Sequence, residues 1–127
     1  MSLACVEMRR RYCLTLDLKD DPDLIREYRR HHQAVWPEVT DSLRQAGILD
    51  LELYLLETRL VMILEVDERF SFEEKARVDR DNLKVQEWEQ LMWNFQKPLP
   101  QAKAGEKWIL MESIYKFEAE AKRESRG

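Results

Sequence analysis

The chain has 127 residues, 44% of them apolar and 36% charged, with a formal net charge of −4. That length supports one domain with a single core, and the acidic balance argues against a nucleic-acid partner, which wants a basic stripe. No run approaches the roughly eighteen apolar residues of a membrane span, residues 1–5 lack a signal-peptide core, and two cysteines, Cys5 and Cys13, are too few for a disulfide framework, so the expectation is a reduced, cytoplasmic protein that meets no membrane.

In chain order, residues 1–10 read as a leader. Tyr12, Leu14, Leu16 and Leu18 alternate with Arg11, Cys13, Thr15 and Asp17, the period of two that defines a strand. Asp21 is a natural N-cap and Pro22 suits the first helical position. The following pattern predicts one long helix over 22–46, closed by Gly47 in a left-handed cap. Pro37 falls in its middle, where it removes a donor and crowds the carbonyl of Gln33, so a kink is expected there.

Two apolar runs, 49–56 and 59–66, flank Glu57-Thr58 and predict a hairpin. Leu49, Leu51, Leu53 and Leu55 share one face of the first run, and Tyr54 and Leu56 lie on the other. Ser71 and Glu74 form a capping box for a short helix to about residue 80. Asp81-Asn82 caps another to about residue 96, with Val85, Trp88, Met92 and Phe95 on its inner face. After a loop around Pro98 and Pro100, residues 107–117 predict a last strand with Trp108, Leu110, Glu112 and Ile114 on one side. A charged tail follows over 118–127.

Within the first long helix, Leu24, Tyr28, His32, Val35/Trp36, Val39 and Leu43 form one face. A titratable ring stands at His32, where the pattern asks for hydrocarbon, one turn from Tyr28 and one from Trp36. Aromatic walls with a few aimed polar groups suit a sugar. The competing reading is a core histidine satisfied by a backbone carbonyl. Neighbouring positions diverge by about 100° on a helix, so His31 is expected to be exposed, and the two histidines do not jointly chelate a metal. No Cys/His spacing suggests zinc, and three glycines leave no phosphate loop; no metal and no cofactor are expected.

The order β-α-β-β-α-β predicts an α+β, ferredoxin-like domain, with both helical segments on one face of an antiparallel sheet. The other sheet face, with Tyr54 and Leu56, looks too apolar to stay wet. Packing sheet on sheet in a homodimer would cover it, and so would a folded-back tail.

The segment Tyr28-Arg29-Arg30-His31-His32-Gln33-Ala34-Val35-Trp36-Pro37-Glu38, with Gly47 eleven residues after Trp36, resembles the helix-one signature of the L-rhamnose mutarotase family, and the resemblance runs through most of 11–117. It implies a dimeric α+β barrel that interconverts the α and β anomers of a 6-deoxyhexose without a cofactor. It assigns the catalytic histidine to His32, a substrate-contacting tyrosine to Tyr28 and the first of two sugar-contacting tryptophans to Trp88. The second tryptophan aligns with Glu89, and a sugar-contacting tyrosine aligns with Leu51. Trp93, one turn after Glu89, offers replacement aromatic surface. The segments 91–100 and 105–108 resemble a branch associated with L-fucose pathways.

Ring opening needs an acid and a base near neutral pH, where imidazole titrates. In this reading His32 protonates the ring oxygen, Tyr28 orients the sugar or relays a proton, and Trp36 and Trp88 wall its apolar side. Glu65 and Glu112, carboxylates in otherwise apolar strands, are candidates for a second acid–base group; outward-facing glutamates are the alternative. Two other functions fit a histidine among tryptophans on this fold: a small dimeric-barrel monooxygenase or haem-degrading protein, and a non-catalytic sugar-binding module.

Overall fold

Strand β1 (Arg10–Leu18) runs through the middle of an antiparallel sheet, with Tyr12, Leu14, Leu16 and Leu18 on one face. The computed structural model describes residues 9–119, so the expected leader over 1–10 and tail over 118–127 lie almost wholly outside the described residues, as does Cys5. On one side β1 pairs with β3 (Arg59–Val66), which in turn pairs with β2 (Ile48–Leu56). On the other side two short strands share one edge: β4 (Gln96–Lys97) lies against Asp17–Leu18, and β5 (Ile109–Met111) against Cys13–Thr15. The order β2-β3-β1-β4 is that of a ferredoxin-like sheet.

Register sorts the side chains. Leu55, Leu60 and Leu16 form one cross-strand row on the inner face, where Leu16 and Leu60 are fully buried. Tyr54, Val61, Thr15 and Ile109 form the corresponding outer row. A β-bulge between Ile48 and Asp50 changes the expected pattern of β2. Ile48 is buried and Leu49 is 46% exposed, so Leu49 does not share the inward face of Leu51, Leu53 and Leu55.

The long helix expected over 22–46 is two helices, α1 (Pro22–His31) and α2 (Pro37–Gln45). Pro37 starts a helix where a kink was expected. A residue before proline is driven out of the α region, and Trp36 accordingly sits at φ −61°, ψ 139°; proline then suits the first position of the next helix. The connecting turn is tight, with the N–H of Gln33 on Arg30 O and that of Ala34 on His31 O. Asp21 caps α1 as expected, accepting from the N–H of Asp23 at 2.9 Å. Gly47 follows α2 with φ +95°, in contact range of Asp67.

Helix α3 (Phe72–Arg80) is capped by Ser71, whose hydroxyl accepts from the N–H of Glu74 at 3.0 Å. Helix α4 (Leu83–Trp93) is capped by Asn82 in the same way, through the N–H of Val85. Each such cap is worth about 1 kcal/mol. Helix α4 ends earlier than expected, and Gln96 belongs to β4. The last strand is also shorter than the predicted 107–117: after Met111 the chain leaves β1, and Ile114, Tyr115 and Phe117 are 89%, 79% and 73% exposed.

Two apolar clusters join helices to sheet. One contains Leu18, Tyr28, Leu60, Trp88, Met92 and Phe95; the other contains Leu14, Ile48, Leu64, Val66 and Phe70. Trp108 packs against both. Between them the inner sheet face and the helices leave a cavity.

Candidate active site

The cavity encloses about 150 Å³, roughly ten times what one water needs. Leu51, Leu53 and Met62 of the sheet form its floor, and its polar lining comes from Tyr28, His32, Ser42, Lys75, Glu89 and Gln96. Of the residues singled out from sequence, Tyr28, His32, Leu51, Trp88 and Glu89 line this space together.

Helix α1 places its two residues one turn apart. Tyr28 is buried, and His32 occupies the C-terminal cap at φ −81°, ψ −2°. Because α1 stops there, the carbonyl of Tyr28 accepts both the backbone N–H of His32, at 3.3 Å, and the ring Nδ1–H, at 2.9 Å. A carbonyl only accepts, so Nδ1 carries the proton and Nε2 keeps the lone pair of the neutral ring. Burial lowers the His32 pKa below its ordinary value, outweighing the backbone hydrogen bond that raises it. At neutral pH the imidazole is therefore a resting base. Main-chain satisfaction and a place on the cavity wall, set against each other in the sequence reading, coexist: Nδ1 is held by the Tyr28 carbonyl while the residue lines the cavity.

Burial pushes the Tyr28 hydroxyl up to about 12; a hydrogen bond from Gln96 opposes this, and the charge of Glu89 adds to it. The phenol keeps its proton across the physiological range. The Tyr28 ring lies 4.5 Å from His32, and Trp88 meets His32 edge-on at 5.6 Å. Trp36 does not line the cavity; it stacks edge-to-face behind Trp88 at 5.2 Å and steadies that wall.

Trp93 also lies outside the cavity lining. Its ring carries the ammonium of Lys107 at 5.0 Å, and Lys107 is ion-paired with Glu89. Trp93 thus backs a charge pair at the cavity, while Glu89 itself reaches the lining. His31, expected to be exposed, is half-buried, its ring 5.5 Å from that of Phe95 and 6.5 Å from that of Trp88 on α4.

Neither candidate for a second acid–base group reaches the cavity. Glu65 pairs in register with Arg11 and Asp50 on the outer face, 3.9 Å from Arg9. Period-two alternation puts it on the side of Ile63, away from His32. Glu112 is exposed, just past the end of β5. The carboxylate that lines the cavity is Glu89.

Sequence reasoning missed Gln96, Lys75, Ser42 and Asp79. The Ser42 hydroxyl donates to Asp79 at 2.9 Å, and Asp79 is also bound by Lys75. A signal existed for Ser42, a polar residue beside Leu43 on an inward stripe. Gln96 had none, since it was placed at the end of a helix.

A ferredoxin-like α+β domain with a histidine-bearing aromatic cavity between sheet and helices is the class that this fold and site define. Residues 11–117 match the sequence profile of the L-rhamnose mutarotase family. An L-fucose mutarotase of Xanthomonas campestris pv. campestris is 49% identical over 100 residues, covering 77% of this chain and 80% of that one. An L-rhamnose mutarotase of Burkholderia ambifaria is 58% identical over a shorter stretch of 31 residues, 24% of this chain and 30% of that one. The crystal structure of an L-rhamnose mutarotase from Formosa agariphila superposes with a TM-score of 0.64 at 17% identity, covering 86% of this chain and 99% of that one. The chain belongs to the L-rhamnose mutarotase family.

Proposed function

We propose that this protein interconverts the α and β anomers of a 6-deoxyhexose by acid–base catalysis without a cofactor, with L-fucose as the preferred sugar. The observation that carries the reading is His32, held through Nδ1 on the Tyr28 carbonyl, in the wall of a cavity of about 150 Å³ lined by Tyr28 and Trp88. The choice of L-fucose is supported by the relative matched over four-fifths of its length, which bears that name.

The chemistry balances with one imidazole. His32 Nε2 takes the proton from the anomeric hydroxyl as the C1–O bond to the ring oxygen breaks and the carbonyl forms. The ring oxygen leaves the same carbon, so the imidazolium returns that proton to it. Rotation about C1–C2 and the reverse steps give the other anomer. Tyr28 stays protonated and donates a hydrogen bond to the sugar, Trp88 walls its apolar side, and Trp36 supports Trp88. General acid–base help of this kind is worth about 10²–10⁴-fold.

The outer sheet face supports a homodimer as part of this proposal. Tyr54 and Leu56 are 55% and 75% exposed there, and Met111, 45% exposed, continues the patch beside Cys13. A second copy would bury that surface, and the reduced Cys13 fits a cytoplasmic setting. Light scattering on the purified protein reads the stoichiometry, and a monomer overturns this part.

The function is tested by proton NMR saturation transfer between the anomers of equilibrated L-fucose and L-rhamnose. Accelerated exchange, fastest for L-fucose and lost in His32→Gln, is expected. Binding without acceleration would leave a sugar-binding module, and no effect on either sugar overturns the reading.

A further inference from the structure

Glu89 stands on α4 beside Trp88 and one turn before Met92, and all three line the cavity. The two oxygens of its carboxylate are used differently. Oε1 receives the ammonium of Lys107. Oε2 takes no hydrogen bond from any described residue, and it is open to solvent: the Glu89 side chain is 43% exposed, and the one unpaired side-chain polar atom that is buried among the described residues belongs to Gln96. The charge of Glu89 also reaches into the site, where it adds to the rise of the Tyr28 hydroxyl.

Lys107 is fixed from several sides. Its side chain is 11% exposed, its ammonium lies 5.0 Å from the centre of the Trp93 ring, and the next residue, Trp108, lines the cavity and packs against both apolar clusters. An anchored cation of this kind removes rotamer freedom that a half-exposed glutamate would otherwise keep.

We propose that Lys107 is a positioning residue, which holds the Glu89 carboxylate at the cavity so that its free oxygen accepts a non-anomeric hydroxyl of the sugar. This rests on the function proposed above. A carboxylate only accepts, so the group it recognises is a hydroxyl that donates, and a hydrogen bond to a charged acceptor is roughly twice as strong as a neutral one. Glu89 touches the sugar, and Lys107 acts through Glu89. The proton transfers stay with His32, so the pair governs affinity rather than the chemical step.

The test is a double-variant cycle with two readouts. Anomer exchange by NMR gives kcat and KM, and tryptophan fluorescence gives binding, for L-fucose and its 2-, 3- and 4-deoxy analogues. Glu89→Gln should raise KM for L-fucose about tenfold with a much smaller change in kcat, and the analogue lacking the recognised hydroxyl should be insensitive to it. Lys107→Met should raise KM in the parent and change nothing further once Glu89 is glutamine. Lys107→Arg, which keeps the charge, should restore most of the affinity. Lys107→Gln takes the place of Lys107→Met if that variant does not fold. A Lys107 effect of equal size with and without the Glu89 carboxylate overturns the proposal, being the mark of a merely structural lysine. So does a Glu89→Gln that leaves every sugar unchanged or weakens all of them alike. If the parent binds these sugars without speeding exchange, the mutarotase reading fails while the binding cycle still decides on Lys107; a parent that binds none overturns both.

Discussion

The Nδ1 of His32 lies 2.9 Å from the carbonyl oxygen of Tyr28, the residue one turn earlier on the same helix. The same carbonyl also accepts the backbone N–H of His32, at 3.3 Å, so ring and main chain share one acceptor where α1 ends at His31. The ring contact selects the tautomer, and burial selects the charge.

Activity should follow the neutral form of His32. Its folded-state pKa lies below 6.5, so exchange rates should be flat through neutrality and fall only as pH drops below that value. Stability has the same sign. Between the lowered pKa and 6.5 the unfolded chain binds the proton that the folded one refuses, so stability should decline as pH falls from about 6.5 and level off below the folded pKa. Anomer exchange and urea midpoints measured from pH 4.5 to 8 check both. An activity limb centred above 6.5 would contradict the assignment.

Tyr28 should make the fold sensitive to alkali. Its hydroxyl titrates near 10 when unfolded and at about 12 when folded. The group is raised, so its contribution is complete below pH 10 and lost as pH climbs toward 12, roughly 3 kcal/mol in all. Tyr28→Phe should abolish this alkaline loss. Thermal melts of both proteins between pH 8 and 11.5 make the comparison.

Asp79 should matter more to stability than its place on a helix surface implies. It accepts from both Ser42, which is buried, and Lys75, whose side chain is 22% exposed. Asp79→Ala leaves a hydroxyl and an ammonium without their acceptor at the cavity, a loss of about 1–3 kcal/mol. Adding Lys75→Met should restore part of it, since removing the orphaned charge removes its desolvation cost. Urea unfolding of the two variants and their combination reads this coupling.

Gly47→Ala should destabilise by roughly 1–2 kcal/mol from the left-handed backbone alone. A Cβ there also collides with the carboxylate of Asp67, which accepts from the N–H of Arg69 at 2.9 Å. The measurement is the shift in thermal midpoint; an unchanged midpoint would show that the turn can relax.

Local chemistry is what the residues determine by themselves. Asp21 before Pro22, Ser71 before Glu74 and Gly47 after α2 act within a few residues of chain, and the alternation from Tyr12 to Leu18 needs no partner to be recognised. These were enough for the element order, the ferredoxin-like sheet and the place of His32 beside Tyr28. The division at Trp36-Pro37 was harder, because one apolar period runs through both helices and only the backbone restriction before proline separates them.

What tertiary structure decided were encounters between distant segments. Glu65 and Glu89 are both carboxylates near apolar neighbours, yet pleat parity sends one to the outer face and helix α4 carries the other to the cavity. Gln96 meets Tyr28 across 68 residues, and Asp79 meets Ser42 across 37. Sequence periodicity shows which side of an element faces inward; it holds no information about which inward side chains come within hydrogen-bond range, since that distance is set by how sheet and helices pack.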